Sequence, residues 1–242
     1  MREFSSAFES CPTLLDLYTK LRVVGRNGKV FEEIGAASTE RNLLAIRNLM
    51  HKCAPSATLE IGMAFGGSTL AIASIFAELG DSPRGQHIAI DPFQSTFWDD
   101  AGMLQIELAG LCGFIRHIDQ PSAITLPLLV KQSCSFDMIY VDGSHLFEDV
   151  FCDAYFSRQL LRVGGFLLFD DAADAHVAKV LRFFRSNWSG CLEEVNPREY
   201  LIPGRREQGR ELLRRFAGRR QLAVFRLTKR EQRPWDASLN RF

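Results

Sequence analysis

The chain has 242 residues, of which 46% are hydrophobic and 24% charged, so it can bury a full core, and its length suits one large α/β domain better than two small ones. Its 29 basic and 29 acidic side chains balance, and the net charge gives no reason to expect a nucleic-acid or membrane partner. Six cysteines without CxxC spacing argue against a zinc knuckle. The sequence shows no signal-like N-terminus and no apolar run of roughly 20 residues, so we expect a cytoplasmic protein without a membrane span.

The N-terminal 50 residues carry two apolar stretches near the helical period, at 14–21 and 43–50, separated by a glycine-containing turn at 25–28. We predict that residues 1–50 form a helical cap, with Ser38 or Thr39 as the N-cap of its second helix. From residue 51 onward, short apolar runs alternate with longer amphipathic segments, the pattern of a parallel sheet covered by helices on both faces.

The predicted fold class is α/β: a Rossmann-like, doubly wound, mostly parallel seven-stranded sheet with helices on both faces and the N-terminal helical cap. The main domain is predicted to span 51–242. Its predicted strands are 58–61, 87–90, 113–118, 138–141, 166–169, 192–195 and 222–228. Its predicted helices are 68–79, 98–110, 121–131, 146–162 and 176–187.

A basic insertion near 196–220 interrupts this domain before its last predicted strand. Between 198 and 233, basic residues outnumber acidic ones. A solvated helix with ion pairs is the favoured interpretation of such a run, and a patch for an acidic substrate or nucleic acid is the alternative.

The segment from Thr58 to Thr69 is typical of a buried strand, a glycine turn and a helix start in succession. A helix N-terminus at the carboxyl edge of a sheet is an anion site. The turn lacks the Gly-Lys-Ser/Thr of a Walker loop and departs from GxGxxG, which disfavours a bound triphosphate. Asp91 ends the next predicted strand, where doubly wound folds place an acid that accepts hydrogen bonds from ribose. An adenosine-type ligand fits both features, although such glycines also serve packing alone.

The sequence resembles the class I S-adenosylmethionine-dependent methyltransferases in the pattern Glu60-x-Gly62-xxx-Gly66-Gly67-Ser68-Thr69 together with Asp91. The resemblance continues through Phe136-Asp137-Met138-Ile139-Tyr140-Val141-Asp142-Gly143-Ser144-His145 and through the segment 163–171, where the chain looks like the metal-dependent macrolide-sugar and aminocoumarin-sugar O-methyltransferases. It implies S-adenosylmethionine as the cofactor, a small-molecule acceptor of sugar or natural-product type, and a homo-oligomer.

The same resemblance implies roles for individual residues of the cofactor site. The methionine part of the cofactor is expected near the glycine turn, the ribose at the acid after the second strand, and the adenine after the third strand. The residues implied, in that order, are Glu60, Gly62, Gly66 and Ser68, then Asp91, then Asp119 and Ser122.

Three carboxylates close two neighbouring predicted strands, Asp142 after one and Asp170 with Asp171 after the next. In a parallel sheet they converge at one edge and repel one another unless a cation or protons compensate. Hard oxygen ligands with room for water suit Mg²⁺, with Mn²⁺ or Ca²⁺ as substitutes. The resemblance places metal ligands at the same positions. The alternative is that these acids only cap the turn and the helix that follow them.

His145 follows Asp142 by one short turn and is the first candidate for a general base, because an imidazole can accept a proton near neutral pH. With Asp142 as the catalytic metal ligand, it would remove the proton of an acceptor hydroxyl that then attacks the sulfonium methyl. The alternative is a histidine that merely hydrogen-bonds its loop.

Two other functions of the protein stay open: a non-catalytic module that binds S-adenosylmethionine or a nucleoside, and a related small-molecule oxidation component.

Overall fold

The computed structural model describes residues 2–80, 87–196, 199–200, 221–231 and 233–242. The core of the predicted basic insertion, including its arginines from Arg205 to Arg220, lies outside these described residues. No helix of the described part is long and apolar enough to cross a membrane.

The N-terminal region contains two short helices, a hairpin and a longer helix. They are α1 (Arg2–Ala7), α2 (Pro12–Lys20), β1 (Val23–Val24) paired antiparallel with β2 (Val30–Phe31), and α3 (Glu40–Cys53). The predicted turn at 25–28 is the turn of this hairpin, whose strands the helical prediction did not include. Thr39 is the N-cap of α3, as predicted, and its side chain accepts from the Asn42 backbone N–H at 3.2 Å.

The main domain alternates strands and helices as the hydrophobic pattern predicts. In chain order the elements are β3 (Thr58–Ile61), α4 (Gly67–Glu78), β4 (His87–Ile90), α5 (Ala101–Leu108), β5 (Ile115–Ile118), α6 (Ser122–Lys131), β6 (Phe136–Val141), α7 (Phe147–Leu160), β7 (Leu161–Phe169), α8 (Ala175–Asn187), β8 (Leu192–Glu194) and β9 (Ala223–Leu227). The predicted strand at 113–118 begins later, because a 3₁₀ turn occupies Cys112–Phe114.

The seven strands form one sheet in the order β5-β4-β3-β6-β7-β9-β8. The strands from β5 to β7 are parallel, and β9 runs antiparallel to both of its neighbours. Ile61 pairs with Ile90 and with Val141, and Val141 pairs with Phe169, so these strands end at one level. The residues that follow them therefore share one edge of the sheet, which is where open α/β folds bind ligands.

Two apolar clusters cover the two faces of the sheet. One joins the N-terminal helices and α3 to α4 and α5, with Phe8, Leu14 and Leu43 completely buried. The other packs α6, α7 and α8 against the opposite face. Because the N-terminal helices share a core with the sheet, they are held firmly enough to contribute side chains to a site at its carboxyl edge.

Candidate active site

Gly62 is the first residue of the glycine turn after β3, and both its backbone conformation and its surroundings require glycine. Its φ is +90°, and a Cβ there would lie 2.1 Å from the carbonyl oxygen of Asp142. Gly66 also has a positive φ, +81°, and caps the N-terminus of α4. The turn is thus packed tightly against the loop after β6, which brings the glycine turn and Asp142 side by side.

Asp91 organises this turn through its carboxylate. Its Oδ2 accepts from the backbone N–H groups of Met63 at 3.1 Å and Ala64 at 2.8 Å, and from the Gln94 side chain at 3.2 Å. Its Oδ1 accepts from the backbone N–H of Phe93 at 2.8 Å. A carboxylate oxygen can accept about two hydrogen bonds, so Oδ1 retains one position for a ligand hydroxyl.

A cavity of about 690 Å³ opens at this edge of the sheet. Its volume lies in the range of small-molecule and cofactor sites. It joins the glycine turn to the carboxylates and is bordered on one side by the segment between the hairpin and α3. The predicted site residues in its lining are Gly62, Asp91, Ser122, Asp142, His145, Asp170 and Asp171.

The other predicted cofactor residues, Glu60, Gly66, Ser68 and Asp119, do not belong to the described lining of this cavity. Asp119 instead accepts a hydrogen bond from Ser95 at 3.2 Å. Ser68 is buried in the first turn of α4. Any contact of these four residues with a cofactor stays a prediction.

Glu60 is completely buried between two strands and α4. Its Oε2 accepts from the Thr69 hydroxyl at 2.5 Å and lies 3.0 Å from Nε2 of His87, whose Nδ1 lies 2.8 Å from the Thr58 hydroxyl. This polar cluster fastens β3, β4 and α4 together beneath the turn. Glu60 therefore holds the turn in place from below.

Asp142, His145 and Asp171 form a group that could hold a metal ion. One ligand atom from each lies within 4.8 Å of the others, and His145 Nε2 is 3.1 Å from Asp171 Oδ2. Asp171 has φ +46°, in the left-handed region, and its Oδ1 accepts from the Gln221 side chain at 3.2 Å. The arrangement has open directions for water or a substrate, as oxygen-rich Mg²⁺ or Mn²⁺ sites require.

Asp170, the other predicted metal ligand, makes its hydrogen bonds on the inner side of the site. Its Oδ2 accepts from the Tyr140 hydroxyl, and its Oδ1 accepts from Asn42 Nδ2 at 2.6 Å and from the Asp171 backbone N–H at 2.7 Å. It still lines the cavity. The group that could hold a metal ion therefore includes His145, whereas both carboxylate oxygens of Asp170 already accept hydrogen bonds within the protein.

The ionised forms of Asp142 and Asp170 are unfavourable without a cation. Burial, and then the charge of Asp170, raise the pKa of Asp142 well above its usual range. A hydrogen bond from Ser38 acts in the opposite direction and lowers this pKa. Burial also raises the pKa of Asp170, although Tyr140 donates to it. A bound cation would favour the ionised form of both carboxyls, so their chemistry fits a divalent metal.

The N-terminal region supplies side chains that the sequence did not point to. Ser38 Oγ donates to Asp142 Oδ2 at 2.9 Å, and the Tyr140 hydroxyl lies 3.0 Å from the same Oγ. The Tyr18 hydroxyl donates to the carbonyl of Ser38 at 2.5 Å, and the Asn42 side chain donates to Asp170. The N-terminal region is therefore part of the candidate site.

The class of protein follows from the sheet and the edge it creates. The strand order reverses beside β3, and a single strand, β9, opposes the rest. This arrangement, with a glycine turn after the central strand and an acid after its neighbour, is that of the class I methyltransferases.

Comparisons with known proteins agree with that class. Residues 59–172 match the family described as "Methyltransferase domain". The comparison with curated proteins gives no match. The chain has the fold of the class I methyltransferases, and its residues 59–172 match a methyltransferase domain.

Solved structures of several methyltransferases share this fold at low sequence identity. One is the O-methyltransferase TomG from Streptomyces achromogenes, involved in tomaymycin synthesis and solved with SAM, at TM-score 0.59 and 17% identity, covering 91% of this chain and 90% of that chain. Another is the Bacillus cereus O-methyltransferase with SAH, at TM-score 0.61 and 14% identity, covering 91% of each. A third is the SAH-bound Podospora anserina methyltransferase PaMTH1, at TM-score 0.58 and 16% identity, covering 91% and 88%.

Proposed function

We propose that the protein transfers a methyl group from S-adenosylmethionine to a hydroxyl of a small molecule of sugar or natural-product type, with the assistance of a divalent metal. The observation that carries this proposal is the continuous cavity that joins the glycine turn after β3 to the group of Asp142, His145 and Asp171. A methyl donor and an acceptor hydroxyl must meet in one cavity, since the transfer needs the two reacting atoms aligned at close range.

The proposed placement of the cofactor follows the order of the strands. The methionine and sulfonium part would lie against Gly62, beside Asp142, and the ribose would use the remaining acceptor position of Asp91 Oδ1. Ser122, which follows β5, would face the adenine. The methyl group would then point from the glycine turn towards the carboxylates after β6 and β7.

Asp142, His145 and Asp171 would hold the metal ion, and Asp170 would stabilise that set. When bound, such a cation acidifies a nearby hydroxyl and orients the acceptor. The imidazole of His145 is half-exposed in the cavity and lies 3.1 Å from Asp171. It is therefore placed either to complete the metal set or to accept the acceptor's proton, and the two roles predict different effects of its replacement.

Aromatic side chains also line the cavity. Phe93 is 57% exposed and lines the cavity together with Trp98, which packs edge-on against Phe65 with ring centroids 4.9 Å apart. Exposed aromatic rings beside a polar site suit a ligand that is apolar on one side and hydroxylated on the other.

The test is methyl transfer from labelled S-adenosylmethionine to panels of sugars and catechols, with and without a chelator. We expect label in an acceptor, loss of transfer on chelation, and recovery with Mg²⁺ or Mn²⁺. Asp171→Asn should weaken the recovery, whereas Asp16→Asn, on the exposed surface of α2, should not. Transfer that survives both chelation and Asp171→Asn would exclude the metal.

Assays on the same purified protein distinguish the proposed function from two alternatives, a binding module and an oxidation component. Cofactor binding in a calorimeter with no turnover on any acceptor favours a binding module. Oxidation of an acceptor without label transfer favours the oxidation component. Absence of cofactor binding contradicts both the proposal and the binding module.

A further inference from the structure

A second concavity, here called the aromatic groove, lies along α7, α8 and the C-terminal segment that follows β9. Its volume is about 920 Å³. Phe151, Phe183 and Trp188 form its floor, and the ring centroid of Phe183 lies 5.1 Å from each of the other two. None of the described residues that line the groove also lines the cavity of the candidate active site. The groove is therefore a separate surface of the molecule.

Trp235 stands at the rim of the aromatic groove with almost no contact to the rest of the chain. Its side chain is 98% exposed, and two other apolar side chains that border the groove are also exposed, Leu239 at 67% and Tyr155 at 43%. Single exposed apolar residues are ordinary on protein surfaces, but a group of them around a groove marks a site of interaction. Trp235 is the most exposed member of this group and is the residue type most enriched among the energetic centres of interfaces.

The loop that carries Trp235, residues 233–239, is held at both ends. Before it, the Arg230 side chain donates to two backbone carbonyls at the end of α7, at 3.1 and 2.9 Å. After it, the Asn240 backbone N–H donates to the Asn187 side chain at 2.9 Å, and the Asn187 amide donates back to the Asn240 carbonyl at 3.1 Å. Terminal segments are usually poorly ordered unless they are tied down in this way. The exposed ring is thus presented by a fixed loop, which lowers the entropy cost of binding through it.

The charges of the loop and of the groove are complementary. Asp236, next to Trp235, is exposed and has no ion-pair partner among the described residues. The groove is lined by Arg158, Arg230 and Arg233 against a single acid, Glu231. The tip of the loop is therefore aromatic and acidic, whereas the groove beside it is aromatic and basic. A surface that carries both a projecting group and the recess that suits it is complementary to a second copy of itself.

We propose that two copies of this chain associate about a two-fold axis, each inserting Trp235 into the aromatic groove of the other, with Asp236 against the arginines of that groove. A two-fold contact uses the same patch twice, so two buried Trp235 rings alone supply about 300–500 Å² of the roughly 1,200 Å² that a specific interface buries. The inference goes beyond the proposed function and does not depend on it.

A small molecule is the competing occupant of the aromatic groove. It could cover Phe151 and Trp188 on the floor, but it would leave the chain monomeric. The mass of the protein in solution therefore distinguishes the two occupants.

The test is analytical ultracentrifugation of the full chain from low to high micromolar concentration. We expect the wild type to pass from the mass of one chain to that of two. Trp235→Ala should raise the dissociation constant of the dimer at least about 30-fold. Asp236→Lys should raise it about tenfold, because it places a cation against a basic groove. The control is Leu108→Ala on α5, which is 67% exposed, as Leu239 is, and should leave the dissociation constant unchanged.

A wild type that stays monomeric at every concentration would overturn the inference, and this measurement needs no variant. A Trp235→Ala protein that is folded by circular dichroism and dimerises as tightly as the wild type would also overturn it. Folding of this variant is expected, because the ring it removes is exposed to solvent. Neither result would affect the proposed methyl transfer, since the groove and the cavity share no described lining residue.

Discussion

Ser38 donates a hydrogen bond of 2.9 Å to Asp142 Oδ2, although the two residues are 104 positions apart in the chain. Ser38 lies just before the N-cap of α3, and Asp142 follows β6. The N-terminal region thus reaches the centre of the candidate site and donates a hydrogen bond to a carboxyl whose pKa burial raises well above its usual range. A segment that covers the sheet also adjusts the charge of the site beneath it.

Replacing Ser38 by Ala should weaken the metal site. The substitution removes a hydrogen bond that favours ionised Asp142, so its pKa should rise further and a cation should bind less tightly. A hydrogen bond to a charged group contributes about 1.5 kcal/mol, which corresponds to roughly tenfold in Mn²⁺ affinity. Calorimetric Mn²⁺ titration checks this, with Ser5→Ala, on an exposed face of α1, as the control. Equal Mn²⁺ affinity in both variants would contradict the role given to Ser38.

Substitutions at Gly62 and Gly28 distinguish two costs of a side chain at the glycine turn: the clash with the Asp142 carbonyl and the strain of a left-handed backbone. Both have φ +90°, but a Cβ at Gly62 meets the Asp142 carbonyl at 2.1 Å, whereas nothing lies within 4 Å at Gly28. Gly28→Ala should cost about 1–2 kcal/mol of unfolding free energy from the left-handed conformation alone. Gly62→Ala adds a backbone clash and should cost at least about 3 kcal/mol. Urea denaturation measures both, and similar losses would show that the turn is not packed against the loop after β6.

Sequence patterns predicted most of the main domain and the convergence of its acids. Buried strands such as Thr58–Ile61 and His87–Ile90 are short, mostly apolar runs, and parallel strands end at a common edge, so the pattern alone places Asp91 and Asp142 at that edge together. Asp119 was expected near the adenine; it lies outside the described lining of the cavity, and its contact with a cofactor stays a prediction.

Other features of the site had no readable sequence signal. The hairpin of β1 and β2 has two residues in each strand, too few for a period to show. Ser38 and Asn42 contact acids more than a hundred positions away, and no local spacing encodes such a contact. Asp170 and Asp171 are adjacent in sequence, yet Asp170 accepts hydrogen bonds from Tyr140 and Asn42, whereas Asp171 lies beside His145. The partners that each acid finds depend on the tertiary structure.

In the ligand-free protein, the buried carboxyl of Asp153 should lower the free energy of unfolding at neutral and alkaline pH. Its folded pKa of about 6 exceeds the usual value of 3.8, so the folded state binds the proton more tightly. Stability from this group is therefore fully present below pH 4 and is lost as the pH rises through 6. Asp153→Asn should be more stable than the wild type by about 2–3 kcal/mol at pH 8, and the difference should shrink by about half at pH 5. Urea midpoints measured at both pH values test this, and a pH-independent difference would contradict the assigned pKa.

His145 should affect either metal affinity or proton transfer, and one variant distinguishes the two. Its Nε2 lies 3.1 Å from Asp171 Oδ2 in the group that could hold a cation. If it accepts the acceptor's proton, His145→Ala should lower kcat about 10²-fold with Mn²⁺ affinity unchanged. If it is a ligand, Mn²⁺ affinity should fall by about tenfold or more and excess metal should restore much of the rate. Activity and Mn²⁺ affinity both within threefold of the wild type would leave His145 no part in either role.

The proposed function requires that one cavity hold the methyl donor and a divalent cation side by side. A crystal structure with S-adenosylhomocysteine and Mn²⁺, in which the anomalous signal locates the metal, tests this requirement. We expect a Mn²⁺ peak bound by Asp142 and Asp171, with the cofactor's sulfur beside Gly62 in the same cavity and its purine beside Ser122. Cofactor bound elsewhere, or a cofactor-filled cavity with no Mn²⁺ at Asp142 and Asp171, would contradict it.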